Sequence, residues 1–465
     1  MPYKKLISDI RLRESTSERE RNLIIETESD KARIIFSAPF RRLQKKAQVF
    51  PLEQNAAVRS RLTHSLEVAM IGRQIAQKIS IKSSNLTQAQ KEAFVNIVES
   101  ACLLHDIGNP PFGHFGESAI SEWFKKTGRT SFKHYKKEKP EWYADLERFE
   151  GNAQGLRIIT KLQSEDEYGL NLTCSTISAY LKYTHPEFER AKHREKPFTK
   201  KNGYFLTEKE RIEKVWEKLG LQPNTRHPLT FVMEAADDIA YCLSDVEDGI
   251  EKKLISVEDI INHIKDEINK TNDETKNVWS KILEKTNQQN LPTNKFITIR
   301  TTLINRSTSV AAEHYISNEE KIINNEFKDP LINKNSPEYK ILEIIRGFVA
   351  KRVYTAPEAE LLELTGYSAI TGILEKLKPL LDLSQKNFEH LMQDDQKKIK
   401  DLNLDKEKRL LNLIPKQCKK SYKKEISSDT LEWFLRAHLV VDYISGMTDD
   451  FALDIYQKLS GIKTT

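Results

Sequence analysis

Apolar residues return every three or four positions through most of this chain, and that spacing predicts helices. Phe94, Val95, Ile97, Val98, Ala101, Cys102 and Leu104 mark a largely buried helix, which Gly108 ends and Pro110 and Pro111 forbid from continuing. A second runs from about Thr63, read as its N-cap, on Leu66, Val68, Ala69, Ile71, Ile75 and Ile79. A third crosses 226–249 on Leu229, Phe231, Val232, Ala235, Ala236, Ile239, Ala240 and Leu243, with Asp237 in the middle of its apolar run. Ile34, Ile35, Phe40 and Leu43 predict one short amphipathic helix, and residues 1–30 an arm with little core. Segment 127–228 reads as an insertion of short helices and loops, and 384–425 as surface helices and linkers. Ile341–Leu383 is strongly patterned, and Leu431–Leu459 forms a helical pair broken near Gly446.

Composition agrees with an all-α fold. Only 16 Gly and 16 Pro in 465 residues leave little material for the tight turns of a β architecture. With 38% hydrophobic and 31% charged residues and a mean hydropathy of −0.59, the chain reads as a soluble globular protein. No apolar run is long enough to span a bilayer and no signal segment is visible, so the expected location is the cytoplasm, away from membrane. The four cysteines are scattered without CxxC pairing, which argues against a zinc ribbon or a disulfide framework. The net charge of +6 matters less than its clusters at Lys133–Lys139, Ala191–Lys201 and Lys416–Lys424. These are solvated faces or attractors of phosphate, including that of single-stranded DNA.

The chemistry-bearing residues stand at helix ends and on apolar faces. His105 and Asp106 close the first helix, His64 opens the second three residues after Arg61, and Asp237 interrupts the third. Two imidazoles and two carboxylates suit a borderline divalent cation such as Mn²⁺, Fe²⁺, Co²⁺ or Zn²⁺, and accept Mg²⁺ less readily. A buried carboxylate in the third helix is costly unless paired or metal-bound, and the helical period puts Asp237, Tyr241 and Asp245 on one face. Asp238 is the rival to Asp237. His114 and Glu117 follow the proline turn at i, i+3, which places an imidazole and a carboxylate on the first turn of a new helix, a sensible base or proton relay.

The order H…HD…D over three apolar helices resembles the HD-domain metal-dependent phosphohydrolases. DKARIIFSAPFRRLQKKAQVFP, RSRLTHSLEVA, ACLLHDIGNPPFGHFGE, FEGNAQG, KNGYF and MEAADDIAYCLSDVEDG resemble, in order, successive blocks of the deoxyguanosinetriphosphate triphosphohydrolase family. ELLELTGYSAITGILE (360–375) and VVDYISGMTDDFAL (440–453) are similar to blocks near that family's C-terminus. The resemblance implies an HD-type catalytic core over 1–255, including the insertion, and a helical region over 256–465 packed on it that helps complete the nucleotide site.

The resemblance further implies release of deoxynucleoside and intact triphosphate from a deoxynucleoside triphosphate, dGTP above all. His64, His105, Asp106 and Asp237 would hold the metal, and His114 and Glu117 would be the catalytic pair. Tyr241 would stack on the deoxyribose and exclude a 2′-hydroxyl, with Asp245 and Gln48 on the 3′-hydroxyl. Arg61, Lys182, Tyr183 and Lys201 would bind phosphate, and Arg346 and Tyr354 are base-contact candidates. A homo-oligomer, hexamer or tetramer, and an activating second deoxynucleotide are also implied. The competing readings are another HD phosphohydrolase, acting on nucleoside monophosphates or a signalling nucleotide, and a nucleic-acid-binding regulator with a weak site.

Overall fold

The computed structural model describes residues 3–14, 21–163, 168–192, 198–426 and 429–463. Part of the basic cluster Ala191–Lys201 thus lies outside the described residues. The described chain is helical, and its only β pairing is two isolated bridges, Arg11 with Thr173 and Ala47 with Ser60. Helix α1 spans Leu23–Ile35, α2 Arg61–Lys82 and α3 Gln88–Leu104. Then come α4 (Gly113–Thr127), α5 (Gly151–Arg157) and α6 (Pro228–Glu251). Farther on, α7 spans Pro292–Ser317, α8 Pro357–Asp382, α9 Asp429–Ser445 and α10 Asp449–Leu459.

Two apolar cores hold these helices. The first packs α2 against α3 and α6, with α1 on the far side of α3 and α7 along α2. Its centre is Val68, Ile75, Phe94, Ile97, Val98, Val232, Ala236 and Ile239, all inaccessible to solvent. The second gathers α4 with α8, α9 and α10 around Phe124, Tyr143, Ile373, Leu377, Trp433 and Val440. Trp433 lies in an aromatic group with Phe132, Tyr135 and Tyr143. The stretch 127–228 is made of short helices and loops, as its pattern predicts, yet it is sewn into both cores by Tyr143, Phe149, Tyr204 and Trp216.

Several local expectations need correction. The N-cap of α2 is Ser60, not Thr63; Thr63 sits at N3 and returns a hydrogen bond to Ser60, completing a capping box. The single amphipathic helix expected around Ile34–Leu43 is broken, because Ser37 caps a new turn and Pro39 lacks the N–H needed to continue α1. The N-terminal arm is more deeply built in than its polar composition predicts. Tyr3, Leu6 and Ile7 are buried, and Arg11 forms buried ion pairs with Glu26 at 2.5 Å and Asp30 at 2.7 Å. The helices of 384–425 are not merely surface: Phe388, Leu391, Leu411 and Tyr422 enter the second core from amphipathic faces.

His227 ties that arm to α6. Its Nε2–H donates to the Leu6 carbonyl at 3.0 Å, so its Nδ1 is free to accept the Leu229 N–H at 3.2 Å and cap the helix. Burial pushes the pKa of this imidazole down to about 4 from the usual 6.5. The folded state therefore refuses a proton that the unfolded chain takes up. His227 contributes stability fully above pH 6.5 and loses it as pH falls toward 4. Urea unfolding at pH 7 and pH 5 should show wild type losing about 2 kcal/mol more than His227→Asn over that interval. Equal losses would mean that the ring is not held neutral.

Candidate metal and nucleotide site

The site lies where the ends of α2, α3 and α4 meet the middle of α6. After Leu104 the chain leaves α3 by short turns, with Ile107 N–H on the Leu104 carbonyl and Asn109 N–H on that of Asp106. This turn fits because Gly108 has no side chain: a Cβ there would stand 2.1 Å from Gly151 O and Gly155 N. Phe112 and Gly113 follow with left-handed φ of 61° and 54°, reversing the chain into α4. A Cβ on Gly113 would lie 2.7 Å from the Arg61 guanidinium. The opposite wall comes from 46–48, which joins the start of α2 through the Ala47–Ser60 bridge.

His64, His105 and Asp237 each offer one ligand atom, and these atoms lie within 4.8 Å of one another. Asp237 Oδ1 is 3.5 Å from His64 Nε2 and 3.6 Å from His105 Nε2. Donor atoms about 2.1 Å from one shared ion stand about 3–3.5 Å apart, so the trio is spaced to hold a cation. His105 Nδ1 meets the Cys102 carbonyl at 2.7 Å. A carbonyl only accepts, so Nδ1 carries a proton and Nε2 is the nitrogen turned toward Asp237, the one a metal would take. His64 Nδ1 is buried with no partner. Asp106 stands beside the trio, its Oδ2 being 3.6 Å from His105 Nε2 and 2.6 Å from Arg61. Asn109 donates to its other oxygen at 2.5 Å.

The carboxylates are held ionised by their neighbours. Burial favours the neutral form of Asp237, but Lys182, His105 and His64 outweigh it and hold the acid well below the usual carboxylate range. For Asp106 the same contest against burial is won by Arg61 and the two histidines. Asp238 goes the other way. Burial and the charges of Glu234 and Asp237 push it up to about 6, and it lies outside the trio. The donor set and its spacing fit a borderline divalent cation.

A cavity of about 500 Å³ opens over this cluster. Gln48, Arg61, His64, His105, Asp106, His114, Glu117, Lys182, Tyr183, Lys201, Asp237 and Tyr241 all line it. Asp245 does not: it is buried behind Tyr241 on α6, where it accepts the Tyr354 hydroxyl. Burial pushes Asp245 up to about 7 against that hydrogen bond. Tyr354 lines the cavity, whereas Arg346 pairs with Glu343 outside it. Gln48 Oε1 is buried without a partner.

The basic and relay groups are partly engaged. Lys182 Nζ is 3.3 Å from Asp237 Oδ2, and Lys201 Nζ is 3.0 Å from Glu150 and 3.9 Å from Glu117. His114 is 79% exposed at the rim, and its Nδ1 bonds Glu117 Oε2 at 2.8 Å. The other Glu117 oxygen accepts the Gly151 N–H at 2.7 Å, so α5 fixes the carboxylate that orients the imidazole. Burial favours a neutral Glu117, but His114 and Lys201 keep it below its ordinary value.

Sequence reasoning missed Asn109, Tyr180, Lys200 and Glu363, which also line the cavity. Asn109 alone carried a signal, as the polar residue between Gly108 and Pro110 in the turn that bears the ligands.

Residues 61–173 match the HD domain, and residues 383–458 match the phosphohydrolase-associated domain. A deoxyguanosinetriphosphate triphosphohydrolase of Enterobacter sp. (strain 638) is 37% identical over 96% of both chains. Those of Salmonella arizonae and Klebsiella pneumoniae subsp. pneumoniae are 37% and 35% identical over 94% and 96% of both chains. With its relatives matched nearly end to end at 35–37% identity, the chain belongs to the deoxyguanosinetriphosphate triphosphohydrolase family.

Proposed function

We propose that this protein hydrolyses deoxynucleoside triphosphates, dGTP first among them, to deoxynucleoside and inorganic triphosphate. The observation that carries the reading is the meeting of His64, His105 and Asp237 in a cavity that Arg61, Lys182, Tyr183 and Lys201 also line. With Asp106 beside them these ligands would hold Mn²⁺, Mg²⁺, Fe²⁺ or Co²⁺, which would offset triphosphate charge and polarise the α-phosphorus. Relatives of matching length carry the name deoxyguanosinetriphosphate triphosphohydrolase, which is the support for dGTP. Assembly as a homo-oligomer and work in the cytoplasm belong to the same reading, and no helix among the described residues is long and apolar enough to cross a membrane.

Around the triphosphate each residue has separate work. Arg61, Lys182, Tyr183 and Lys201 bind phosphate oxygens. On substrate binding Lys182 exchanges part of its contact with Asp237 for phosphate. His114, with Nδ1 tied to Glu117, turns Nε2 toward the attacking water and takes its proton. Tyr241 packs against the sugar where a 2′-hydroxyl would stand, and Gln48 serves the 3′-hydroxyl, while the expected contact from Asp245 is excluded because that carboxyl is buried outside the cavity. Tyr354, which engages Asp245, closes the nucleoside end.

Chromatography after incubation with dGTP and Mn²⁺ should give deoxyguanosine and triphosphate; dGMP with pyrophosphate would overturn the reaction type. His105→Ala should abolish turnover. His114→Ala should lower kcat by about 10²–10⁴-fold with little change in KM. A fall in KM-governed binding alone would place the imidazole in recognition. Tyr241→Ala should narrow the preference for dGTP over GTP, measured as the ratio of kcat/KM values. An unchanged ratio would remove this ring from sugar selection.

A further inference from the structure

None of the described residues of region 383–458 lines the cavity, yet the region grips both loops that do. Lys46, only 3% exposed, sends its ammonium to the carbonyl of Ser445, the last residue of α9, at 2.8 Å, and to the carbonyl of Asn109. Asn109 in turn holds Asp106 Oδ1. The C-terminal carbonyls of a helix are unsatisfied and negative, which offsets part of the cost of burying this amine. Asp449, at the start of α10 and 2% exposed, accepts the Ala47 N–H with one oxygen and the Phe112 N–H with the other, each at 2.9 Å. Ala47 adjoins Gln48, and Phe112 is the left-handed residue that aims His114.

The same helix reaches the site by a second route. Asp442 accepts from Gln154 Nε2 and Arg157 Nε, both at 2.9 Å, and so fixes α5. That helix packs on Gly108 and donates to Glu117. The loop bearing His105 and Asp106 and the helix bearing His114 and Glu117 are therefore tied by buried hydrogen bonds to α9 or α10.

We propose that Lys46 and Asp449 are positioning residues, through which the α9–α10 hairpin sets the geometry of the loop bearing His105 and Asp106. Neither lines the cavity, so each acts through backbone groups of other residues. The inference rests on the metal reading above.

The test compares Lys46→Met and Asp449→Asn with Glu432→Gln. The last alters the buried Arg436–Glu432 pair, which lies in α9 but touches neither loop. Mn²⁺ binding, followed by the paramagnetic resonance of free Mn²⁺, is measured alongside urea unfolding and kcat. Lys46→Met and Asp449→Asn should weaken Mn²⁺ binding about 10–100-fold and lower kcat while still unfolding cooperatively. Glu432→Gln should shift the urea midpoint and leave Mn²⁺ affinity at the wild-type value. Wild-type Mn²⁺ affinity in Lys46→Met and Asp449→Asn would overturn the positioning role alone. So would an equal loss in Glu432→Gln at matched stability, which would make the effect one of general loosening. Absence of Mn²⁺ binding by wild type would overturn the metal reading and this inference together.

Discussion

An ionised Asp237, half-buried among apolar helices at the cavity floor, is the constraint on which the rest of this structure depends. A carboxylate removed from water costs several kcal/mol unless opposite charge and hydrogen bonds replace the solvent. Here that compensation comes from Lys182 and two imidazoles carried by separate helices. The helices cannot slide independently without exposing one charge unpaired. Packing of α2, α3 and α6 around Val68, Val98 and Ala236 and the charge cluster at their ends therefore reinforce each other. The apolar core sets the distances, and the charges make those distances matter.

Arg61 shows how tightly recognition and scaffold are joined. It opens α2, ion-pairs with Asp106 and passes close to Gly113, so one guanidinium touches the ligand loop and the turn into the relay helix. Lys201 is shared in a similar way between Glu150 and Glu117. Burial and the negative charge of Glu117 push Glu150 up to about 7. On the function proposed above, an incoming triphosphate would enter a cavity whose cations already have partners. Binding must then be an exchange of anions around fixed positive charges, which limits net affinity for any single phosphate contact and favours ligands that present several at once.

Much of this was legible in the chain because helical periodicity is local. The apolar face running from Phe94 to Leu104 and the stops at Gly108 and Pro110 delimit α3 without reference to anything distant, and His105 is placed at its end by that alone. The i, i+4 step put Asp237 and Tyr241 on one face of α6, and both line the cavity. Asp245 shows the limit of that reasoning: it shares the face but sinks behind it, because α6 is covered there by the segment bearing Tyr354. The N-terminal arm was opaque for the same reason. Arg11 reads as a solvated charge until Glu26 and Asp30, presented by α1, surround it. Lys46 and Asp449 carry no periodic signal, since their partners are backbone groups of loops 63 and 337 residues away in the chain.

The loop 105–113 holds only part of its own shape. Local hydrogen bonds form at Ile107, Asn109 and Gly113, but the loop also contains two prolines, two left-handed residues in succession and a glycine pressed against a neighbouring backbone. The rest of its conformation is imposed from outside. Solvent-facing ties would exchange with water, so the effective ones are buried hydrogen bonds: Lys46 on Asn109, Asp449 on Phe112, and Asp442 through α5. The second core, built on Trp433, Tyr143 and Leu377, is what anchors α9 and its neighbours firmly enough to serve as the fixed end of those ties. On this view region 383–458 serves the site as an external frame, because the phosphate and sugar contacts proposed here lie within residues 48–241, Tyr354 closes the nucleoside end, and none of the described residues of 383–458 lines the cavity.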